Sequence, residues 1–345
     1  MSLIYFLLII SVLVFIHELG HYLVARWCGV RVTDFAVGFG PELVGYTDGA
    51  GTRWKVCAIP LGGYVRMAGD AETDGKAPSE PTPGTYAATT PWQRVAISFA
   101  GPAANLLLTF ALLTGLFMAS VPQPSISVAS VAPNSPAAAA GMQAGDRLVS
   151  IGGVAIKTWQ DLAPQLAAGQ AVAVVVDRNG QTVTLSATPD ANNRLGINLG
   201  TATVHGPGVG PLEASGMAID RSVAITKLIF TTLGDLVANL AKGEVRSDQV
   251  GGPVAMAQGA SQSADAGLWM FVFYMAMLSL NLGLMNLLPI PPLDGGHIVL
   301  NTLRGLKIPL PQKAETFLFI LGALLLLGLM VYALGSDAVR VFNSL

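Results

Sequence analysis

Four long apolar runs constrain the fold of this chain more than any other feature of its sequence. They lie at 3–16, 95–119, 268–290 and 316–334. A membrane-spanning helix needs about 20 residues, so the last three qualify by length, and the first does so when the polar residues 17–22 also lie in or near the membrane. Only 12% of the residues are charged, about half the share in an ordinary soluble domain. The sequence therefore predicts a multi-pass α-helical membrane protein with four transmembrane helices.

The charge and cysteine content exclude several other classes of protein. The formal net charge is −2 without a long basic run, so no nucleic acid partner is expected. The two cysteines, Cys28 and Cys57, are too few to staple 345 residues. We interpret them as free thiols, with a role as zinc ligands as the alternative. Residues 1–25 are interpreted as a retained helix rather than a signal peptide, because no Lys or Arg precedes Arg26 and no small-residue cleavage site follows the apolar run.

Lys and Arg residues near the helix ends predict the orientation in the membrane. The connections 26–94 and 298–315 carry Arg or Lys close to the predicted helices, whereas 120–139 and 247–267 carry neither. Loops rich in these residues tend to stay in the cytoplasm. We therefore expect the connections 26–94 and 298–315 on the cytoplasmic side. Both termini, including a tail at 335–345, and the long central segment are expected outside.

The end of the first apolar run carries an H-E-x-x-H motif that predicts a metal site. On a helix, His17 and His21 are separated by 400° of rotation, so both imidazoles project from one face and can bind one Zn²⁺. Glu18 is placed beside them to take a proton from water at the metal. The alternative, a structural cluster of polar residues at the end of an apolar helix, would cost several kcal/mol without a compensating partner.

A catalytic zinc usually has three protein ligands, and the sequence leaves two candidates for the third. His205 lies in the central segment, on the opposite side of the membrane from the motif. Asp294 and His297 follow three prolines within 289–292, which break the third apolar helix. Irregular backbone at membrane depth is tolerated only around a cavity or in the protein interior, and spacing alone leaves both residues open.

Three motifs in this order resemble the site-2 protease family of intramembrane zinc metalloproteases. They are H-E-L-G-H at 17–21, F-A-G-P-A-A-N at 99–105 and N-L-L-P-I-P-P-L-D-G-G at 286–296. The stretch 59–65 and the run 281–297 look especially like the bacterial RseP branch of that family. The resemblance covers nearly the whole chain.

The resemblance implies the ligand set, the activity and the location. In that family the ligands are the two motif histidines and the aspartate of Leu-Asp-Gly, which correspond here to His17, His21 and Asp294. Glu18 would be the catalytic acid/base, and His297 would support the site. The expected partners are the lipid bilayer and single-pass membrane protein substrates, such as anti-sigma factors or signal-peptide remnants. The expected location is a bacterial cytoplasmic membrane, with the active site toward the cytoplasm.

Residues 53–66 read as two short strands around a Pro/Gly turn. The resemblance implies a membrane-associated β-hairpin that offers a strand edge to the substrate, so Gly62, Gly63 and Tyr64 are candidate substrate-binding residues. A peptide bond in a transmembrane helix must unwind before cleavage, and strand addition would give the unwound segment new hydrogen-bond partners. An ordinary cytoplasmic hairpin is the alternative.

Amide side chains in the apolar helices are a further group of candidates. Asn286, eight residues before Asp294, is the candidate for binding the substrate or the developing oxyanion. For Asn286, and equally for Asn105 and Asn281, the alternative is a hydrogen bond that only joins two helices. Gly101 could likewise serve a kink at the following proline or the close approach of a neighbouring helix.

The central segment contains a predicted compact domain at 125–200. Strands are predicted at 126–131, 171–177 and 181–187, with a helix near 158–166 and an Asn-Gly hairpin turn at 178–180. These features resemble a single PDZ domain in the permuted bacterial arrangement, with 194–197 as its candidate carboxylate-binding loop. The domain could exclude bulky substrates or capture exposed peptide ends. The rest of the segment, 201–267, is predicted to contain an amphipathic helix within 211–240.

Three functions compete for this sequence. The leading hypothesis is a zinc endopeptidase that cleaves transmembrane segments. A catalytically silent receptor that binds peptides with its PDZ domain would not need Glu18, which is present. A zinc transporter would need ligands distributed along a path through the bilayer, whereas the sequence has one cluster. The sequence does not select a substrate.

Overall fold

The computed structural model describes residues 2–69, 82–156, 161–178, 180–242, 251–309 and 311–343. The chain divides into two units, one formed by Met1–Phe117 with Gly210–Leu345 and the other by Met118–Val209. In chain order, the α-helices are α1 (Ser2–Trp27), α2 (Pro91–Ala119), α3 (Pro136–Ala139), α4 (Pro211–Lys242), α5 (Pro253–Asp265), α6 (Leu268–Asn286), α7 (Asp294–Gly305) and α8 (Gln312–Asn343). The strands are β1 (Val32–Thr47), β2 (Arg53–Met67), β3 (Ser120–Val131), β4 (Arg147–Ile151), β5 (Val154–Ala155), β6 (Val172–Arg178), β7 (Gln181–Ala187) and β8 (Ile197–Pro207).

Four helices of the first unit, α1, α2, α6 and α8, are long and apolar enough to cross a membrane. This confirms the prediction of four apolar helices, although the helices extend beyond the apolar runs. Helix α2 begins four residues before position 95, because Thr90 and Gln93 form a reciprocal cap. The Gln93 N–H donates to Thr90 Oγ1 at 3.3 Å, and the Thr90 N–H donates to Gln93 Oε1 at 2.9 Å. A hydropathy pattern detects the apolar middle of a helix and misses such polar ends.

Helices α1, α5 and α6 pack around a buried apolar cluster. Its members on α1 include Phe6, Ile9 and Leu13, and Ala260 contributes from α5. The C-terminal part of α8 is attached to the start of α5 by Asp337, whose buried carboxylate accepts the backbone N–H groups of Gly252 (3.1 Å) and Val254 (2.8 Å). Asp337 therefore supplies the hydrogen bonds that the first turn of α5 lacks.

The third apolar helix ends before the candidate third ligand. Helix α6 ends at Asn286, residues 287–293 form turns, and a new helix, α7, begins with Asp294. Proline lacks a backbone N–H and cannot continue a helix, and three prolines fall within this break.

Strands β1 and β2 form an antiparallel sheet next to α1. Positions 53–56 of β2 pair with both 34–37 and 44–47 of β1, and positions 63–67 pair with 32–37. The prediction of two short strands within 53–66 agrees with this pairing, because 53–56 and 63–67 run in opposite directions along the same stretch of β1, although the structure assigns both parts to one strand, Arg53–Met67. Its partner β1 was not predicted.

The second unit is built on a sheet with strand order β7-β6-β4-β3-β8, and β5 pairs with β4. Fully buried apolar residues fill its core, among them Val128, Leu148, Ile151, Val174 and Val176. Strand β3 begins before and β8 ends after the predicted limits 125 and 200. Residues 120–124 and 203–207 pair with each other.

Two predictions in this unit fall partly outside the described residues. Of the helix predicted near 158–166, residues 158–160 lie outside the described residues. The prediction is wrong for the described remainder, which contains a 3₁₀ turn at Ala163–Gln165. Asn179 of the predicted turn also lies outside, while Arg178 and Gln181 on either side pair as expected of a hairpin. Helix α4 covers the segment 211–240 for which an amphipathic helix was predicted.

Candidate metal centre

Three side chains from two distant parts of the sequence meet at one point. His17 Nε2 lies 3.1 Å from Asp294 Oδ2, and His21 Nε2 lies 3.5 Å from Asp294 Oδ1. The two imidazole Nε2 atoms are 3.2 Å apart. Within the described ranges, these residues form the one cluster of three such side chains whose ligand atoms all lie within 4.8 Å of one another. Two nitrogens and one carboxylate oxygen are a donor set that suits a catalytic zinc.

Glycines on α1 and α2 make room for the two histidines. A Cβ atom at Gly20 would overlap the carbonyl oxygen of Ala100, so α1 and α2 approach more closely there than larger residues allow. A Cβ atom at Gly101 would overlap the His21 ring and lie 2.9 Å from His17 Cε1. Gly101 is therefore required for the packing of both imidazoles, and is more than a flexible point before Pro102.

Glycines also place Asp294 at the start of α7. A Cβ atom at Gly295 would overlap the backbone carbonyls of the preceding turn, including that of Leu288. A Cβ atom at Gly296 would lie 2.5 Å from the nitrogen of Pro291. The two glycines after Asp294 thus allow α7 to fold back tightly on the break, which directs the Asp294 carboxylate toward α1.

The second nitrogen of each imidazole has its own partner on α2. His21 Nδ1 donates to the carbonyl oxygen of Ile97 at 2.7 Å, which leaves the Nε2 lone pair directed at Asp294. His17 Nδ1 lies 3.1 Å from the side-chain amide of Asn105, which is fully buried. Sequence reasoning treated Asn105 only as a possible link between helices. A signal was available, because Asn105 follows Gly101 by four residues and so lies on the same face of α2.

A cavity of about 220 Å³ lies beside the cluster and is lined by Glu18, His21 and Asp294. The backbone N–H of Val65 on β2 donates to the Glu18 carboxylate. His297 also lines the cavity, and its ring packs edge-on against Phe319 at 5.4 Å between ring centres. The third-ligand alternatives thus occupy different positions, because Asp294 reaches both imidazoles and His297 stands in the wall.

The candidate substrate-binding residues lie at different distances from the cavity. A Cβ atom at Gly63 would lie 3.2 Å from Glu18 Cγ, so the backbone of β2 passes directly beside Glu18. Gly62 packs on the ring of Phe39 with a φ of 90°. Asn286 is half-buried at the last turn of α6, and it is not among the described residues that line this cavity.

Tyr64 belongs to a charged cluster on the β1–β2 sheet. Its ring stands 5.3 Å from Lys55 Nζ and 5.7 Å from the Arg66 guanidinium carbon. Lys55 also donates to Asp34 at 2.6 Å. Although burial disfavours its charge, hydrogen bonds from Lys55 and Thr33 hold the pKa of Asp34 below its usual range. These pairs fix the sheet next to α1 and do not contribute to the cluster of His17, His21 and Asp294. Cys28 and Cys57 are free thiols that also lie outside this cluster.

Comparison with known proteins assigns this chain to a family. The sequence profile of Peptidase family M50 matches residues 5–329. The chain belongs to Peptidase family M50, the site-2 protease family. It is 38% identical to a protein from Agrobacterium fabrum over 96% of this chain and 94% of that one. A Brucella suis protein is 39% identical over 96% and 93% of the two chains, and one from Rhizobium meliloti is 38% identical over 98% and 96%.

The names of these three relatives assign them provisionally as zinc metalloproteases. Family membership and these names together make this M50 protein a zinc metallopeptidase. The four apolar helices identify it as a membrane protein. The predicted enzyme class and the predicted zinc cofactor are thereby confirmed.

Proposed function

We propose that this M50 metallopeptidase cleaves peptide bonds within the transmembrane segments of single-pass membrane proteins. Its proposed zinc ligands are His17, His21 and Asp294, and its proposed acid/base is Glu18. The observation that carries the proposal is the position of the cluster. Two of its members project from α1, an apolar helix long enough to cross the membrane, and the third begins α7 directly after the broken end of another such helix.

Zinc, when bound, supplies a Lewis acid that polarises a carbonyl oxygen and makes water more acidic. Glu18 lines the same cavity as His21 and Asp294, so its carboxylate can take a proton from water there and return it to the leaving amine. The hydrogen bond from the Val65 N–H holds the Glu18 carboxylate in place. His21 is kept in the tautomer that binds metal by its bond to Ile97.

The β1–β2 sheet supports the proposed way of binding an unwound substrate. In the described part of the chain, positions 63–67 pair with β1 along one edge, and the pairings give their other edge no partner. The same stretch runs past Glu18 at Gly63 and Val65. A substrate segment that adds as a strand there would present its backbone carbonyl groups near Glu18. Gly63 is thus the strongest of the three candidate substrate-binding positions, and Gly62, Tyr64 and Asn286 stay predictions.

We further propose that the second unit is a single PDZ domain outside a bacterial cytoplasmic membrane, in contrast to the RseP proteins that carry two such domains in tandem. Its support is the sequence resemblance and the antiparallel β6–β7 hairpin with its buried core. The Lys and Arg pattern supports an active site toward the cytoplasm. Substrates of this type would be anti-sigma factors or signal-peptide remnants, and the domain would exclude those that still carry a large ectodomain.

The test is cleavage of a single-pass substrate by the purified protein in liposomes. We expect mass spectrometry to place the cut within the transmembrane segment for the natural chain and to find no cut with Glu18→Gln. Cuts confined to loops outside the bilayer would contradict the intramembrane assignment while leaving the metallopeptidase class intact. Membrane proteomics with and without the active enzyme would then identify which single-pass stubs accumulate.

A further inference from the structure

The amide of Asn105 contacts a proposed zinc ligand and has one atom without a partner. Asn105 Nδ2 lies 3.1 Å from His17 Nδ1, while Asn105 Oδ1 is buried with no hydrogen-bond partner among the described residues. A buried amide oxygen that loses its hydrogen bond costs about 1–3 kcal/mol. The arrangement therefore leaves a polar atom unsatisfied directly beside the ligand cluster.

The chemistry of imidazole shows why this amide matters for metal binding. A neutral histidine has one N–H group and one lone pair on its two ring nitrogens. When the amide NH₂ donates to His17 Nδ1, the ring proton must sit on Nε2, which faces Asp294 and His21. His17 then has no lone pair to offer a metal. Metal binding through Nε2 requires a proton on Nδ1, and that proton needs an acceptor.

We propose that Asn105 is a positioning residue that turns its amide oxygen to His17 when zinc is bound. A half-turn of the amide exchanges Oδ1 and Nδ2 with little change in shape. Oδ1 then accepts the His17 Nδ1–H and directs the Nε2 lone pair into the cluster. The amide nitrogen moves to the place where Oδ1 found no donor. This inference rests on the proposed role of His17 as a ligand.

The backbone around Asn105 is fixed, so its side chain reaches His17 from a defined position. The Asn105 carbonyl oxygen accepts the hydroxyl of Thr109 at 2.9 Å and that of Ser279, on α6, at 2.8 Å. The same Thr109 hydroxyl lies 3.2 Å from the carbonyl oxygen of Ala276. Asn105 thus joins α1, α2 and α6 at the level of the ligand cluster, and a half-turn of its amide leaves this framework unchanged.

The proposal is tested by zinc retention in the full-length protein, independently of proteolysis. Asn105→Leu keeps the approximate volume and removes the acceptor, whereas Asn105→Asp keeps an acceptor at the same position. We expect zinc transfer to a chelator to be roughly 10–100-fold faster for Asn105→Leu, the usual effect of losing a partner of a ligating histidine. Asn105→Asp should restore release to near the natural rate. The matched control is Thr114→Val on the same helix, which removes a buried hydroxyl that has no hydrogen-bond partner among the described residues. It should not change the rate of zinc release.

Several outcomes separate this proposal from the proposed function. The role of the amide oxygen would be overturned if Asn105→Leu released zinc at the rate of the unsubstituted protein. It would also be overturned if Asn105→Asp and Asn105→Leu released zinc equally fast. If Asn105→Leu does not fold, Asn105→Ala takes its place in the comparison with Asn105→Asp. His17→Ala is measured in parallel. Full zinc content in His17→Ala would contradict the ligand set itself. If His17→Ala loses zinc while Asn105→Leu releases it at the rate of the unsubstituted protein, only the inference about Asn105 is overturned.

Discussion

Gly101 packs against the imidazole of His21 so closely that no methyl group fits between them. The helix that carries Gly101 therefore shapes the proposed ligand cluster of His17, His21 and Asp294 without contributing a member to it. Substituting Gly101 by Ala should displace both histidines, because the new Cβ would overlap the His21 ring and crowd His17. We expect zinc affinity to fall by at least about tenfold, comparable with other losses of ligand orientation. Zinc titration of the purified variant measures this effect.

Gly115 provides the control for that substitution. It lies on the same helix, but a Cβ atom there would meet nothing within 4 Å. Gly115→Ala should keep full zinc affinity and raise helix stability by up to about 1 kcal/mol. Equal zinc affinity in Gly101→Ala and Gly115→Ala would show that the close contact is not needed.

The ligand set predicts which substitutions remove zinc. His17→Ala, His21→Ala and Asp294→Ala should each lose most of the bound metal, because each removes one of three ligand atoms that lie within 4.8 Å of one another. His297→Ala should keep it, since His297 stands in the cavity wall against Phe319. Elemental analysis of purified proteins decides this. A protein that keeps zinc without Asp294 and loses it without His297 would reverse the assignment.

Glu18→Gln should separate metal binding from catalysis. The amide is nearly the same shape as the carboxylate and can still accept the Val65 N–H, but it cannot accept a proton from water. We expect natural zinc content and a loss of about 10²–10⁴-fold in kcat for a single-pass substrate. Cleavage within tenfold of the natural rate would rule out Glu18 as the acid/base.

The buried carboxylate of Asp146 predicts an acid-sensitive second unit. Arg178 donates to both of its oxygens at 2.7 Å, and the Gln143 N–H donates at 2.9 Å. The bonds to Arg178, and then that to Gln143, hold the pKa of Asp146 below its usual range against the effect of burial. A lowered folded-state pKa adds stability that is complete above the unfolded pKa of about 3.9 and is lost as the pH falls through the folded value.

Hydrogen exchange of β4 and β6 in the full-length protein measures this effect. Asp146→Asn should destabilise the unit by about 1–3 kcal/mol at pH 7. The stability of this variant should also depend less on pH below about pH 4. Glu213→Gln, a change at an exposed acid on α4, should leave the exchange unchanged. A variant at Asp146 that keeps the natural acid response would show that another group is responsible.

The second unit should be removable only at boundaries that respect its strands. Deleting 125–200 would cut β3 and β8, whose paired ends continue to 120 and 207. Replacing 118–209 by a short flexible linker should leave cleavage of ectodomain-free substrates unchanged and admit substrates that keep their ectodomain. The enzyme that lacks 118–209 could instead cleave ectodomain-free substrates more slowly and still fail to cleave those that keep their ectodomain. That result would favour capture of peptide ends over exclusion.

The predictable parts of this protein are those that a short stretch of sequence determines. Apolar runs define the helices, and the spacing of His17 and His21 places two imidazoles on one face of a helix. The role of Asn105 depends on the distance between two helices, which no local pattern contains. Strand β1 was missed because Gly38, Gly40 and Pro41 interrupt its alternation, and its pairing with β2 stabilises a strand that local preference does not indicate.

The meeting of His21 with Asp294 has a consequence for the biosynthesis of the protein. The two residues are 273 positions apart in the chain (294 − 21), and a ribosome needs roughly 14–55 s to add that many residues. During this time the emerging chain holds two of its three proposed ligands and neither α7 nor α8. A chain that has not yet reached residue 294 therefore lacks the complete proposed zinc site. Ribosome-bound chains that stop before residue 294 should accordingly retain no zinc.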